Sequence, residues 1–228
     1  MTDLRFYFDG TNGTPVSGEV LLDVMISKEE KPKDIGQLKF KYSDSFFLHS
    51  ACSYDHELAI MSLGLTMSAF TYKNDGDEHA RKALHAIGCD DRTIESFRFD
   101  DQQSCADSCG YIIAAKKLPD DTFLIPVVIR SHCYGGEWVS NAHAVEEAYP
   151  DHAVGFKAAA DGVYDAVTDY LDRRGFDLGR VKLWLCGYSR GGAVTNLLGA
   201  RFTFESGIGK DNIFAYSFAT PVTVFDRA

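Results

Sequence analysis

The stretch Val181-Lys-Leu-Trp-Leu-Cys-Gly-Tyr-Ser-Arg-Gly-Gly-Ala-Val-Thr-Asn-Leu-Leu198 decides how this chain folds. Val181 to Cys186 is a short apolar run broken once by Lys182, with the length and residue types of a buried strand. Gly187 to Gly191 spells Gly-Tyr-Ser-Arg-Gly, a match to G-x-S-x-G. From Gly192 onward, Ala193, Leu197 and Leu198 supply a helical apolar stripe. A strand, a sharp turn and a helix are the context that motif needs, because the serine must stand at the tip of a tight, strained bend. Side chains at Gly187 or Gly191 would collide with the neighbouring strand and helix. The new helix points free N–H groups and the positive end of its dipole at Ser189. That arrangement favours an oxyanion forming beside the hydroxyl.

Working upstream, Gly155 to Arg174 is strongly helical. Phe156, Ala160, Val163, Val167 and Tyr170 step by four, three, four and three, and Gly175 ends the run. Before it, Phe123 to Ile129 is the most hydrophobic strand. Its Pro126 argues for an edge and its apolarity for burial, and both readings stay open. Strand, loop, helix, strand is the pattern of a crossover in a parallel sheet. The loop Arg130-Ser-His-Cys-Tyr-Gly-Gly-Glu-Trp-Val-Ser-Asn141 follows directly. Its paired glycines expose backbone N–H groups where a second oxyanion donor is expected. Thr93 to Phe99 and Gly110 to Ala115 read as further strands. Downstream, Ile213 to Ala219 is another buried strand, ended by Thr220-Pro221.

Toward the N-terminus, Asp55 caps a predicted helix from His56 to about Tyr72, with Leu58, Met61, Leu65 and Ala69 on one face. Asp77 opens a shorter helix closed by Gly88, with Ala80, Leu84 and Ile87 inward. Residues 1–48 read as a β-rich extension. Leu4 to Phe8, Glu19 to Ile26 and Leu38 to Tyr42 are strand-like, and the first two have the spacing of a hairpin. The expected division is an extension over 1–48 and an α/β domain over 49–228.

The chain has 228 residues, 45% hydrophobic and 25% charged, values ordinary for a globular α/β domain. Twenty-three basic against 33 acidic residues leave a net charge of -10 and no basic stripe, which argues against nucleic acid as a partner. No apolar run approaches the length of a transmembrane segment. Met1-Thr-Asp-Leu-Arg-Phe does not read as a signal peptide. The six cysteines are scattered without a zinc pattern and are expected as reduced thiols, with Cys186 a core residue. A cytoplasmic location follows as an expectation. His49, His56, His79 and His85 read as surface or partly buried groups without a catalytic role. No metal or organic cofactor is implied.

Together these motifs resemble the class 3 lipase family of α/β-hydrolases, its bacterial branch in particular. The resemblance rests on Arg130 with Glu137-Trp138 and Asn141, on Gly187-Tyr-Ser-Arg-Gly191, and on Ser217-Phe-Ala-Thr-Pro221. The helix entry Tyr54-Asp-His-Glu-Leu58 also fits. It spans about residues 110–221 and leaves 1–48 unexplained. It implies an α/β-hydrolase-type, mostly parallel sheet flanked by helices, and a carboxylic ester hydrolase acting on small-molecule or lipid esters. Ser189 would be the nucleophile. Arg190 would give one oxyanion N–H and His132 the other, with Cys133 a neighbouring candidate. Ser131-His132 departs from the glycine and small residue usual there. Tyr188 and Tyr134, with Trp138, read either as packing aromatics or as the lining of an acyl pocket. Tyr188 and Tyr134 are carried as substrate-binding candidates.

In this fold the chain order is serine, acid, histidine. No histidine follows Ser189, and Asp226 comes one strand early for the acid. Either the chain is truncated before its acid and histidine, or an upstream histidine is recruited. A non-catalytic, hydrolase-like binding module is the alternative from another class. A truncated sheet would also expose an edge through which copies self-associate.

Overall fold

The computed structural model describes residues 15–26, 35–70, 76–99, 108–130 and 154–223. Eight strands are found among them: β1 (Ser17–Met25), β2 (Ile35–Ser43), β3 (Glu95–Phe97), β4 (Tyr111–Ile113), β5 (Lys116–Lys117), β6 (Phe123–Ile129), β7 (Val181–Tyr188) and β8 (Ile213–Phe218). The helices are α1 (His56–Ser68), α2 (Glu78–Ala86), α3 (Val154–Arg174) and α4 (Arg190–Glu205). The main sheet has the order β3-β4-β6-β7-β8, with β5 also on β6. Its core, β6-β7-β8, is parallel, and β3, β4 and β5 join antiparallel. The helix α3 carries the crossover from β6 to β7, and α4 that from β7 to β8. This is an α/β fold, a mixed sheet with a parallel core flanked by helices, with a β-hairpin before it in the chain.

Alternation along the central strands explains why both faces are covered. On β7, Trp184 and Cys186 join one buried cluster with α1, α2 and the hairpin. Val181, Leu183 and Leu185 join the other, with α3 and α4. On β6, Leu124 and Val128 face the first cluster, and Ile125, Val127 and Ile129 the second. No helix among the described residues is long and apolar enough to cross a membrane.

The predicted helix stripes are buried. Leu58, Met61, Leu65 and Ala69 of the α1 segment are fully covered, as are Ala80, Leu84 and Ile87 of the α2 segment. A side-chain oxygen of Asp55 accepts from the Leu58 N–H at 2.9 Å, the expected cap. Asp77 sits at the cap position of α2, but its carboxylate takes Nε of Arg81 at 2.7 Å instead.

Pro126 satisfies both of its conflicting cues. It lies inside β6, between neighbours on both sides. Its carbonyl accepts from the Ala114 N–H at 3.1 Å, where the chain passes from β4 to β5. Its missing N–H faces the same side, where β4 gives way to β5, so the proline forgoes a bond only at an interruption in the neighbouring strand.

The hairpin pairs β1 with β2, from Ser17 opposite Ser43 to Met25 opposite Ile35. These are the second and third predicted strands. Leu4 to Phe8 lies outside the described residues. A buried polar hub docks the hairpin. One Asp44 oxygen accepts from the Tyr42 hydroxyl and Nζ of Lys116, both at 2.7 Å. The other accepts from the Val16 N–H at 2.9 Å. Lys116 also donates to the Ile87 carbonyl at 2.7 Å. A charge this buried is tolerated when it is paired and hydrogen-bonded. Burial, with Asp44 alongside, holds the Tyr42 phenol well above its ordinary pKa, so it remains a donor.

Candidate active site

The end of β7 delivers Ser189 in a conformation that L-residues rarely adopt, φ 52° and ψ −119°. Such backbone strain costs on the order of 1–3 kcal/mol and persists only where the surroundings impose it. Two bonds impose it here. The Ser189 N–H donates to the Phe218 carbonyl at the end of β8, at 2.8 Å. The Ser189 carbonyl accepts from the Ala193 N–H in the first turn of α4, at 3.0 Å. Ser189 occupies the cap position of α4, yet its hydroxyl makes no capping bond. The residue is partly exposed, while most of its neighbours are buried.

Three glycines make this bend sterically possible. A Cβ on Gly187 would lie 2.2 Å from the Gly191 carbonyl oxygen and 2.6 Å from Thr195 Oγ1. One on Gly191 would lie 2.6 Å from the Ile129 carbonyl oxygen at the end of β6. One on Gly192 would lie 2.8 Å from the Phe218 carbonyl oxygen and from Thr220 Oγ1. Gly187 thus lets helix meet strand. Gly191 seats the helix against β6, and Gly192 seats it against β8. The end of β6 at Ile129 and Arg130, the Gly187–Gly191 bend, and Phe218 with Thr220 therefore meet at one point, at the carboxyl ends of the parallel strands. In open α/β sheets that is where ligands bind.

The first N–H groups of α4 have no acceptor within the helix and gather the positive end of its dipole. Arg190 contributes one of them. Its side chain turns inward and is buried. Nη2 donates to the Ser108 carbonyl at 3.2 Å, and the guanidinium lies 5.5 Å from the Phe156 ring centroid. A fixed positive charge thus stands at the same helix end.

Arg130 closes β6. Its N–H donates to the Gly110 carbonyl at 2.8 Å, and its Nη1 donates to the Phe99 carbonyl at 3.0 Å. Gly191 packs against the backbone of Ile129 and Arg130, so the end of β6 lies beside the first turn of α4. His132, Cys133, Tyr134, Gly135, Gly136, Glu137, Trp138 and Asn141 lie outside the described residues. So do His143, His152, Cys105 and Asp226.

Tyr188 is partly buried and points to the α1 side of the sheet. Its ring meets Phe70 edge-on, with centroids 5.7 Å apart. The four described histidines engage residues away from the elbow. His79 meets Asp23 at 3.1 Å, His85 meets Asp91 at 3.3 Å, and His49 stands 4.0 Å from Asp55. His56 meets the Tyr54 hydroxyl at 3.2 Å. No disulfide joins the four described cysteines, three of which are buried. Burial pushes the Cys89 thiol up to about 12 and raises that of Cys186 as well. Among the described residues, no group of three metal-ligating side chains is found.

Sequence reasoning passed over Gly192, Ala219 and the Phe218 carbonyl. Gly192 was signalled by its adjacency to Gly191. Ala219, with φ 47°, turns the chain at the end of β8 beside the elbow, and nothing local marks it. The partners of the Arg190 guanidinium, Ser108 and Phe156, are likewise remote in sequence.

No protein-family model matches the chain, and no curated protein matches it. Among solved structures, it is similar to a fungal lipase in complex with an inhibitor, described as a model for interfacial activation in lipases. The identity is 17% and the TM-score 0.47, over 75% of this chain and 65% of that one. The chain thus spans just under two thirds of that lipase. A likeness so distant bears on neither chemistry nor substrate.

Proposed function

We propose that the protein is a serine hydrolase of carboxylic esters, lipase- or esterase-like, working through an acyl-enzyme on Ser189. One observation carries this: a serine in left-handed, strained backbone at a strand-to-helix bend, with three glycines allowing the bend and a helix N-terminus behind it. A solvated turn serine has no need of such a conformation, and strain of this kind clusters at catalytic sites.

In this mechanism Ser189 Oγ forms a bond to the ester carbonyl carbon and gives up its proton. The oxyanion is met by the Arg190 N–H and by a second N–H from residues 131–133, with His132 the first candidate. The C–O bond to the alcohol then breaks, and the alcohol leaves with a proton. Water attacks the acyl-enzyme, releasing the acid and restoring Ser189. A triad enzyme adds a histidine base and an orienting acid. Oxyanion donors and binding without that pair still sustain about 10³–10⁴-fold over water.

The test is fluorophosphonate labelling and p-nitrophenyl ester turnover, compared with Ser189→Ala. Labelling and turnover that vanish in the variant support the proposal. Labelling that persists removes Ser189 from the mechanism. A folded wild-type chain that is neither labelled nor active favours a non-catalytic binding module.

A further inference from the structure

The first turn of α4 breaks a rule that helices usually keep. Acidic side chains are stabilising there and cations are not, because the free N–H groups gather positive charge. Yet α4 opens on Arg190 and has no acidic residue in its first turn. Arginine is also rarely buried, but this one is 2% exposed. Folded proteins break local rules of this kind chiefly where function asks for it.

Its contacts show what the side chain holds. Nη2 donates to the Ser108 carbonyl at 3.2 Å, and the guanidinium carbon lies 5.5 Å from the ring centroid of buried Phe156. Ser108 belongs to the connection between β3 and β4, and Phe156 to the first turn of α3. The start of α4 is thus tied to two elements besides its own strands. Arg130 grips the same connection from the end of β6. Its N–H donates to the Gly110 carbonyl at 2.8 Å and its Nη1 to the Phe99 carbonyl at 3.0 Å. A Cβ on Gly110 would lie 3.0 Å from Arg130 Nε, so the glycine makes room for that grip. Carbonyls of Phe99, Ser108 and Gly110 therefore hold both arginines. One connection fixes the end of β6 and the start of α4 against each other.

We propose that the Arg190 side chain is a positioning residue for the oxyanion. It acts through its own backbone. By anchoring the first turn of α4 to Ser108 and Phe156, it fixes the direction of the Arg190 N–H. This rests on Ser189 being the nucleophile. A donor held in place needs no reorganisation when negative charge develops on the substrate oxygen. A loosened anchor lets the N–H drift, and a misplacement of about 1 Å costs on the order of 10²-fold in rate. The loss falls on bond formation and spares binding, because the ground-state carbonyl carries little of that charge.

The test is the rate at which a fluorophosphonate labels Ser189 in the 228-residue chain, resolved into the affinity of the first complex and the rate of bond formation. The phosphoryl oxygen of the probe takes the place of the ester oxyanion. In Arg190→Gln and Arg190→Lys, bond formation should slow by about 10–100-fold, with affinity within about twofold of wild type. Lysine keeps the charge but has neither the planar fork nor a stacking face, so it should not restore the rate. Phe156→Leu removes the ring beside the guanidinium and keeps the Ser108 bond. It should slow the same step in smaller measure, and it carries the test if circular dichroism shows the Arg190 variants unfolded. A shifted urea midpoint with an unaltered rate of bond formation makes Arg190 a structural residue only, and overturns the proposal while Ser189 stands as nucleophile. So does a loss confined to affinity, or full rate in Arg190→Lys. A folded wild-type chain that is not labelled, or labelling that persists in Ser189→Ala, removes the reading beneath the proposal, and both fall.

Discussion

Ser189 is, among the described residues, the one non-glycine of left-handed φ that opens an α-helix, and the glycines around it fix that geometry by subtraction. The strength of the constraint is testable at Gly187. Gly187→Ala puts a methyl group against helix backbone, which cannot yield as a flexible side chain would. We expect a loss of about 1–3 kcal/mol or more in urea denaturation, with weaker fluorophosphonate labelling as the start of α4 is displaced. Gly162→Ala is the control. Gly162 lies inside α3 with open space at its Cβ position, so this change should stabilise by about 0.5–1 kcal/mol. Opposite signs at two glycines of one protein would separate steric need from helix propensity. If Gly187→Ala is as harmless as Gly162→Ala, the bend is looser than its contacts imply.

Among the elements, the hairpin owes its position to charged contacts as well as apolar ones. On β1, Asp23 accepts from Nε2 of Gln37 at 2.9 Å, and it meets His79 of α2 at 3.1 Å and Nζ of Lys82 at 3.7 Å. The Gln37 bond, then the His79 and Lys82 contacts, hold its carboxyl below the ordinary carboxylate value, against the opposing effect of burial. A folded pKa below the unfolded value of about 3.9 stabilises fully above that value. The contribution fades as pH falls through the lower folded pKa. Asp23→Asn should therefore be less stable than wild type at neutral pH, with the gap closing in acid. Urea midpoints measured across that range check it. A gap that does not change with pH would deny the carboxylate charge any part. Element existence was largely legible in the sequence at this scale. The stripe of α3 follows the 3.6-residue period of a half-buried helix, whereas α1 is covered on nearly all sides and its stripe marks only part of its buried surface; both helices lie where periodicity put them. Strand partners were less legible. The period of a strand says which face is buried and nothing about its neighbour, so β1 read as a mate for Leu4–Phe8, whereas the structure pairs it with β2.

For the molecule as a whole, the hairpin shares its buried cluster with α1, α2 and the sheet. Trp184 of β7 lies in van der Waals reach of Phe47, with ring centroids 5.0 Å apart, and its indole N–H donates to Ser62 Oγ of α1 at 2.8 Å. Leu22 and Val24 of β1 belong to the same cluster. Residues 17–43 should therefore melt together with the sheet. Leu22→Ala should lower stability by about 2–5 kcal/mol, moving tryptophan fluorescence and far-UV circular dichroism by the same amount in one transition. An early, separate loss of strand signal would mark the hairpin as an independent unit.

The sequence by itself determined the strand–serine–helix bend, the helices and their inward faces, and the α/β class. These depend on steric rules and periodicities acting within a few residues, which any stretch carries wherever it is placed. Only the tertiary structure decided that Gly192 is as necessary as Gly191, that Pro126 can sit inside a sheet, and that the Phe218 carbonyl holds the serine. Each of these depends on which backbone atoms, distant along the chain, come within about 3 Å of one another, and close approach of that kind is set by packing across the whole domain.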